Sequence, residues 1–248
     1  MSRTIMLLDV TQMSGDAVCV AGLDLANDET VRLANPQPTQ RLIATLGVLA
    51  PGDILKLDAK PLRKLEPPHV EDCEWNPRSL KRVGGATLSE MQQALETTAF
   101  PSVQAAFGDP VTRGRFGNSA WPPGAGLRSL ATISVVYVRA ASDKNDRPRI
   151  AFKDDALDYW PAVPMQDLRV KLHQANCPDC GDTHLDRLKE EFDANRALIR
   201  VGLTRPFSPG EGTEPTCWLQ VTNVLAKPRT HFDTLLLRPA KPREPVLA

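Results

Sequence analysis

The chain has 248 residues, 42% hydrophobic and 24% charged, and Lys plus Arg and Asp plus Glu both come to 30, so its formal charge is zero. This is ordinary globular usage and enough chain to bury a core without disulfide or metal staples. The balance excludes a protein that coats nucleic acid through global basicity but leaves room for a local basic groove.

Met1–Val10 reads as a strand and meets polar Thr11-Gln12 at once, a sheet element rather than a signal peptide. The turn Ser14-Gly15-Asp16 leads into Ala17–Val20, and Asn27-Asp28-Glu29 separates Leu23-Asp24-Leu25 from Thr30–Leu33, which makes a strand meander. A further strand, Asp53–Asp58, follows Pro51-Gly52, and short strands of this kind with polar turns predict a small barrel or sandwich. Pro61, Pro67, Pro68 and Pro77 then mark extended linker, because proline removes ladder donors. Thr87-Leu88-Ser89-Glu90 is a capping-box pattern, and Leu88, Met91 and Leu95 behind it predict a helix over 88–97. Gly108–Gly126, rich in Gly and Pro, reads as a long loop.

The second half opens on the β-branched run Ala131–Val138, followed by the polar turn Asp143–Asp146 and the strand candidate Pro148–Phe152. Thr183–Ala197 carries Leu185, Leu188 and Phe192 at helical spacing. Leu198–Leu203 and Cys217–Leu225 are the last strand candidates, and a tail with Pro228, Pro239, Pro242 and Pro245 follows. Both halves thus run strands, a helical insertion, then proline-bounded loops. The predicted fold is mainly β (β-rich α+β), divided into residues 1–128 and 129–248, each a small barrel with a helical insertion.

The blocks Ile5–Val10 with Gly15–Asp24, Pro67–Asp72, Arg200–Phe207 and Cys217–Val221 resemble the dual OB-containing domain family of bacteria. The resemblance implies two OB-like barrels, which commonly bind single-stranded nucleic acid or act as protein adaptors, and a setting in bacterial defence or mobile elements. It implies no residue roles.

His173, Cys177, Cys180 and His184 fall within twelve positions, and two thiolates with two imidazoles would close a tetrahedral, structural zinc site. Cys73 or Cys217 would serve in place of a histidine, and the competing reading is a solvent-side turn that binds nothing. Five cysteines in all, an odd number, fit a reduced, cytoplasmic compartment better than a disulfide framework. No apolar stretch approaches the length needed to span a bilayer.

Arginines beside aromatics are the other candidate feature. Arg78 and Arg82 lie near Trp75, Arg113 and Arg115 near Phe116 and Trp121, and Arg200 and Arg205 near Phe207 and Trp218. Guanidinium groups neutralise phosphates while aromatic faces stack bases, which suits single strands without a sequence code. On the 217–221 strand, alternation sets Cys217, Leu219 and Val221 on one face and Trp218 with Gln220 on the other.

Phosphate-loop, nucleophile-elbow and zinc-protease motifs are absent from the sequence. Asp154-Asp155 and Glu190-Glu191 read as exposed charges, and His69 beside Glu71 and Asp72 reads as a hydrogen-bonded structural group with no nucleophile next to it. The expectation is therefore a non-catalytic protein that binds single-stranded RNA or DNA. The rival is an interaction adaptor or accessory subunit, favoured by zero net charge, few aromatics and an apolar, proline-rich tail; a zinc hydrolase is a distant third.

Overall fold

The structure, a computed structural model, describes residues 1–45, 50–113, 119–176, 181–208, 210 and 212–225, with the backbone alone at 173–176, 181–184, 187 and 191. It is mainly β, and its first part is a closed barrel. The elements are β1 (Ser2–Gln12), β2 (Val18–Asp24), β3 (Thr30–Asn35), α1 (Gln40–Thr45), β4 (Asp53–Pro61) and β5 (Asp72–Trp75). The strands run β1-β2-β3-β5-β4 around the ring, which closes because β1 pairs with both β2 and β4. The β3–β5 pair is parallel and the other ring pairs are antiparallel, the OB-like arrangement. A further strand, β6 (Lys81–Gly85), adds to β4 outside the ring.

The long first strand serves two partners through a bulge. Ile5 and Leu7 face the barrel core, but the register shifts between Leu7 and Asp9, and Val10 rather than Asp9 returns to that core. Met6, Leu8 and Asp9 therefore face outward, toward the second sheet, and Met6–Thr11 is buried on both faces. Opposite the bulge, β2 carries Gly22, where a Cβ would sit 2.3 Å from the Met6 carbonyl oxygen. Only glycine fits at that approach.

A helix, α2 (Leu88–Thr98), follows, with the predicted capping box formed: Glu90 N–H donates to Thr87 Oγ1 at 3.3 Å, and Thr87 N–H donates to the Glu90 carboxylate at 2.6 Å. Its Met91 and Leu95 pack with Met6, Leu8, Leu23, Leu198 and Leu225, an apolar layer between the two sheets. The chain continues through β7 (Ala99–Phe100), α3 (Val103–Phe107), β8 (Thr112–Arg113), β9 (Ser119–Trp121), β10 (Leu130–Ser142), β11 (Pro148–Asp154), β12 (Tyr159–Pro164), α4 (Leu168–Asn176), α5 (Gly181–Phe192), β13 (Ala197–Leu203) and β14 (Cys217–Leu225).

The second sheet runs β12-β11-β10-β13-β14-β9-β8, with β7 joining β10. A parallel bridge between Met165 and Val221, supported by Gln166 N–H donating to the Val221 carbonyl at 2.9 Å, brings the end of β12 to β14. This repeats the first ring: long first strand paired to the second and fourth, third strand parallel to the fifth. The repeat extends to the bulge, since Ile133 and Val135 face the core, the register shifts at Val135–Tyr137, and Val138 and Ala140 take over.

Several expectations need correction. The proline-rich 61–77 stretch holds β5, which closes the first ring; its prolines flank the strand and leave Asp72–Trp75 free to pair. The predicted loop 108–126 contains β9, fully buried against β14, and β7, β8 and β9 belong to the second sheet although they precede the predicted division at 128. The helix expected over 183–197 ends at Phe192, where Asp193 and Ala194 turn the chain into β13. Asp154 is buried rather than exposed: it accepts from Trp160 Nε1 at 3.0 Å and from the Asp158 amide at 3.0 Å, while Asp155 points out.

Candidate nucleic-acid interface

In OB barrels, ligands lie on the second and third strands and on the loops joining strands one to two and four to five. Both barrels here have a cleft in that position. In the second barrel a cleft of about 580 Å³ is lined by the start of β11 (Arg147, Arg149), the end of β12, Lys171 of α4, the β13–β14 loop (Thr204, Phe207) and β14 (Trp218, Gln220). In the first, a cleft of about 490 Å³ is lined by the β1–β2 loop (Gln12–Ser14), Cys19 of β2, Arg32 of β3 and the same β13–β14 loop with Arg205. Thr204, Phe207 and Gln220 border both, so the two form one groove across the barrels.

The groove's charge is one-sided. Among its described lining residues, Arg32, Arg147, Arg149, Lys171 and Arg205 are cationic and none is acidic, in a chain whose acids and bases are equal overall. Two carboxylates behind the wall hold some of these cations. Asp143 pairs with Arg149 at 2.7 Å, and that bond, with the Asn145 and Arg147 amides, brings its pKa down to about 2. Asp72 receives both Arg32 Nε, at 2.6 Å, and Arg205 Nη2, at 2.5 Å. Burial pushes the Lys171 ammonium below its ordinary range, and Arg149 and Arg147 push it further. An anion would relieve that field.

Phe207 and Trp218 stand where the two clefts meet, ring centroids 6.1 Å apart, with Trp218 Nε1 donating to the Phe207 carbonyl at 3.4 Å. Phe207 is 48% exposed. Trp218 owes its outward position to strand alternation: Cys217, Leu219 and Val221 are buried and Trp218 with Gln220 half-buried, as the sequence predicts. The other tryptophans are structural. Trp75 donates to the Pro36 carbonyl at 2.7 Å, and Trp121 and Trp160 stack in the second core.

The sequence-predicted arginines divide. Arg205 lines the groove beside Phe207 and Trp218. Arg200 does not: it is 2% exposed and is held by Asp9 of the first barrel, with Nη2–Oδ2 at 2.7 Å, so strand β13 turns it into the junction. Arg113 lies over the Trp160 ring at 4.4 Å and donates to the Tyr159 carbonyl. Arg82 is paired with the buried Asp53 at 2.6 Å, and Arg78 is exposed on a 3₁₀ turn; none of these three lines either cleft. Arg115 lies outside the described residues. Arg147, Arg149 and Lys171 are not among the sequence-predicted arginine–aromatic clusters.

Of the predicted zinc ligands, Cys177 and Cys180 lie outside the described residues; His173 falls on α4 and His184 on α5, where only the backbone is described. Among the described residues no cluster of His, Cys, Asp and Glu has metal-holding geometry. Cys73 and Cys217 are buried in opposite barrel cores. No described helix is long and apolar enough to cross a membrane.

His69, on the β4–β5 loop behind Asp72, differs from the expected hydrogen-bonded group. It is 3% exposed, and neither ring nitrogen finds a partner of good geometry, although the Thr204 backbone approaches. Burial, then Arg32 and Arg205, lower its pKa from 6.5 to about 3. The unfolded chain thus takes up this proton first as pH falls. The contribution is complete above pH 6.5 and is lost progressively toward pH 3, in all a few kcal/mol. Urea midpoints of His69→Leu are expected to vary less between pH 7 and pH 5 than those of the unaltered protein; equal variation would refute the assignment. Next to it, Glu71 accepts from the Ser129 and Leu130 amides at 2.6 and 3.0 Å and ties this loop to the start of β10.

No family model matches the sequence, and no curated protein matches it. The resemblance to the dual OB-containing family therefore rests on the residues quoted for it, and the OB-like strand order on the structure. Among solved structures, the crystal structure of the tetrameric p202 HIN2 is similar at 10% identity, with 89% of this chain and 91% of that chain covered and a TM-score of 0.28, a likeness too slight to bear on fold or function.

Proposed function

We propose that this protein binds single-stranded nucleic acid, RNA or DNA, in the groove that crosses its two barrels, and that it does so without catalysing a reaction. The observation that carries this reading is the acid-free, five-cation lining, among the described residues, around an exposed Phe207 paired with a half-buried Trp218. Backbone phosphates would meet Arg147, Arg149 and Lys171 on one side and Arg205 on the other, with one or two bases against the rings. Such contacts read shape and charge rather than sequence. The carboxylates behind the groove are engaged with arginines, which suits holding a ligand rather than moving protons.

Titration of a fluorescently labelled single strand over a salt series tests this. Three to five phosphate contacts predict a log–log salt slope of roughly −2 to −3.5. Absence of binding at low salt would end the proposal, and capture of a fixed protein partner in its place would favour an adaptor. Phe207→Ala and Trp218→Ala are each expected to weaken binding about tenfold with the slope unchanged, because stacking releases no counterions. Unchanged affinity in both would remove the rings from the site.

A further inference from the structure

We infer that the first-barrel end of the groove is a subsite for a terminal phosphate monoester, so that the protein grips a strand by a phosphorylated end. This rests on the nucleic-acid reading and adds to it which part of the strand is held, and where.

The inference starts from Arg32. It lines the cleft yet is only 6% exposed, and a guanidinium cannot shed its charge. Its side chain is bound to protein through Nε alone, to Asp72; Nη2 is buried with no hydrogen-bond partner among the described residues. A buried donor left unmade is costly and calls for an acceptor. Asp72 is no further help, because its second oxygen is taken by Arg205. Glu71 is turned away to the Ser129 and Leu130 amides, and His69 is held neutral by its surroundings. Two guanidinium groups thus share hydrogen bonds to one carboxylate, Glu71 acting on Arg32 only through space, with Arg32 on the floor and Arg205, its side chain 45% exposed, at the mouth.

Phosphate matches this arrangement, because its oxygens accept from the forked donors of arginine. Depth selects the kind of phosphate. A phosphodiester carries a sugar on two of its oxygens, and both must leave the pocket again. A monoester has one substituent and three free oxygens, and it carries nearly two charges at neutral pH rather than one. A group that reaches a floor residue as enclosed as Arg32 is a chain end. Cys19, half-buried in the wall of the same cleft, gives a local reporter.

The test uses the full chain and two readouts. Affinities are compared for one oligonucleotide bearing a 5′-phosphate, a 3′-phosphate or neither, and Cys19 alkylation by iodoacetamide is followed by peptide mass spectrometry with adenosine monophosphate or adenosine present. One phosphorylated end is expected to bind roughly tenfold tighter than the bare strand, the order of a charge-assisted hydrogen-bond set. Which end it is gives the strand's polarity. The monophosphate, and not the nucleoside, is expected to slow Cys19 alkylation, and Arg205→Ala to abolish both effects. Arg205→Ala leaves the buried Arg32–Asp72 pair in place, so a folding failure of Arg32 variants would not obscure the result. Equal binding of all three strands with no protection of Cys19 overturns the subsite and leaves the groove reading standing. Protection by the monophosphate with no strand bound would instead overturn the groove reading and keep the subsite.

Discussion

Replacing Asp9 by alanine is expected to destabilise the protein by about 3–5 kcal/mol, the range seen when one partner of a buried ion pair is removed. Asp9 is fully buried and accepts from Arg200 Nε and Nη2 at distances down to 2.7 Å, and from Thr222 Oγ1 at 2.7 Å. Arg200 also donates to Thr132 Oγ1 at 3.1 Å. Beside them, Asn223 donates to the Leu8 carbonyl at 2.9 Å and accepts from Arg169, itself paired with Asp167. This polar network joins the outward face of β1 to β13 and β14, so its loss strikes the junction between the barrels. Without Asp9, the Arg200 guanidinium stays charged and buried beside one hydroxyl. Urea unfolding followed by tryptophan fluorescence measures the loss. The double variant Asp9→Leu with Arg200→Met is expected to recover most of it, because a matched apolar pair leaves no charge stranded. A single-variant loss under 1 kcal/mol would show that water reaches the pair and that the junction is looser than described.

The second large effect concerns binding. Arg147→Ala, Arg149→Ala and Lys171→Ala combined are expected to weaken single-strand binding by roughly a hundredfold or more at low salt and to flatten the salt slope by about 2, as three phosphate contacts disappear. These side chains are exposed or half-buried, and the carboxylate they leave behind, Asp143, keeps the Asn145 and Arg147 amides as partners, so stability is expected to change little. Arg78→Ala and Arg113→Ala serve as controls: both are exposed cations outside the groove, and each is expected to leave affinity nearly unchanged. If the controls weaken binding as much as the triple variant does, the protein attracts nucleic acid by diffuse charge and the groove is not its site.

How far the sequence was legible follows from the range of the interactions involved. Turn signals and β-branched runs made most strands of both barrels readable, though not β12, and alternation placed Trp218 outward because its neighbours Cys217 and Leu219 belong inside. A capping box is a four-residue device, so α2 was readable within one residue of its end. Strand β5 was not readable, since four residues among prolines carry little pattern and its partners, β3 and β4, lie elsewhere in the chain. The bulge in β1 reverses the alternation after Leu7 and sends Asp9 outward, where strict period two would have sent it to the barrel core. Arg200 looked like a surface cation because its partner lies 191 residues earlier in the chain.

By itself the sequence determined the β-rich character, the two successive sets of strands and the outward Trp218, all of which rest on neighbours a few residues apart. Only the tertiary structure decided which cations share a groove. Arg32, Arg147, Arg149, Lys171 and Arg205 come from separate strands, loops and a helix, and ring closure around two cores brings them together. The same closure buried Arg200 against Asp9. Charge acts through space, and the chain alone does not state those distances.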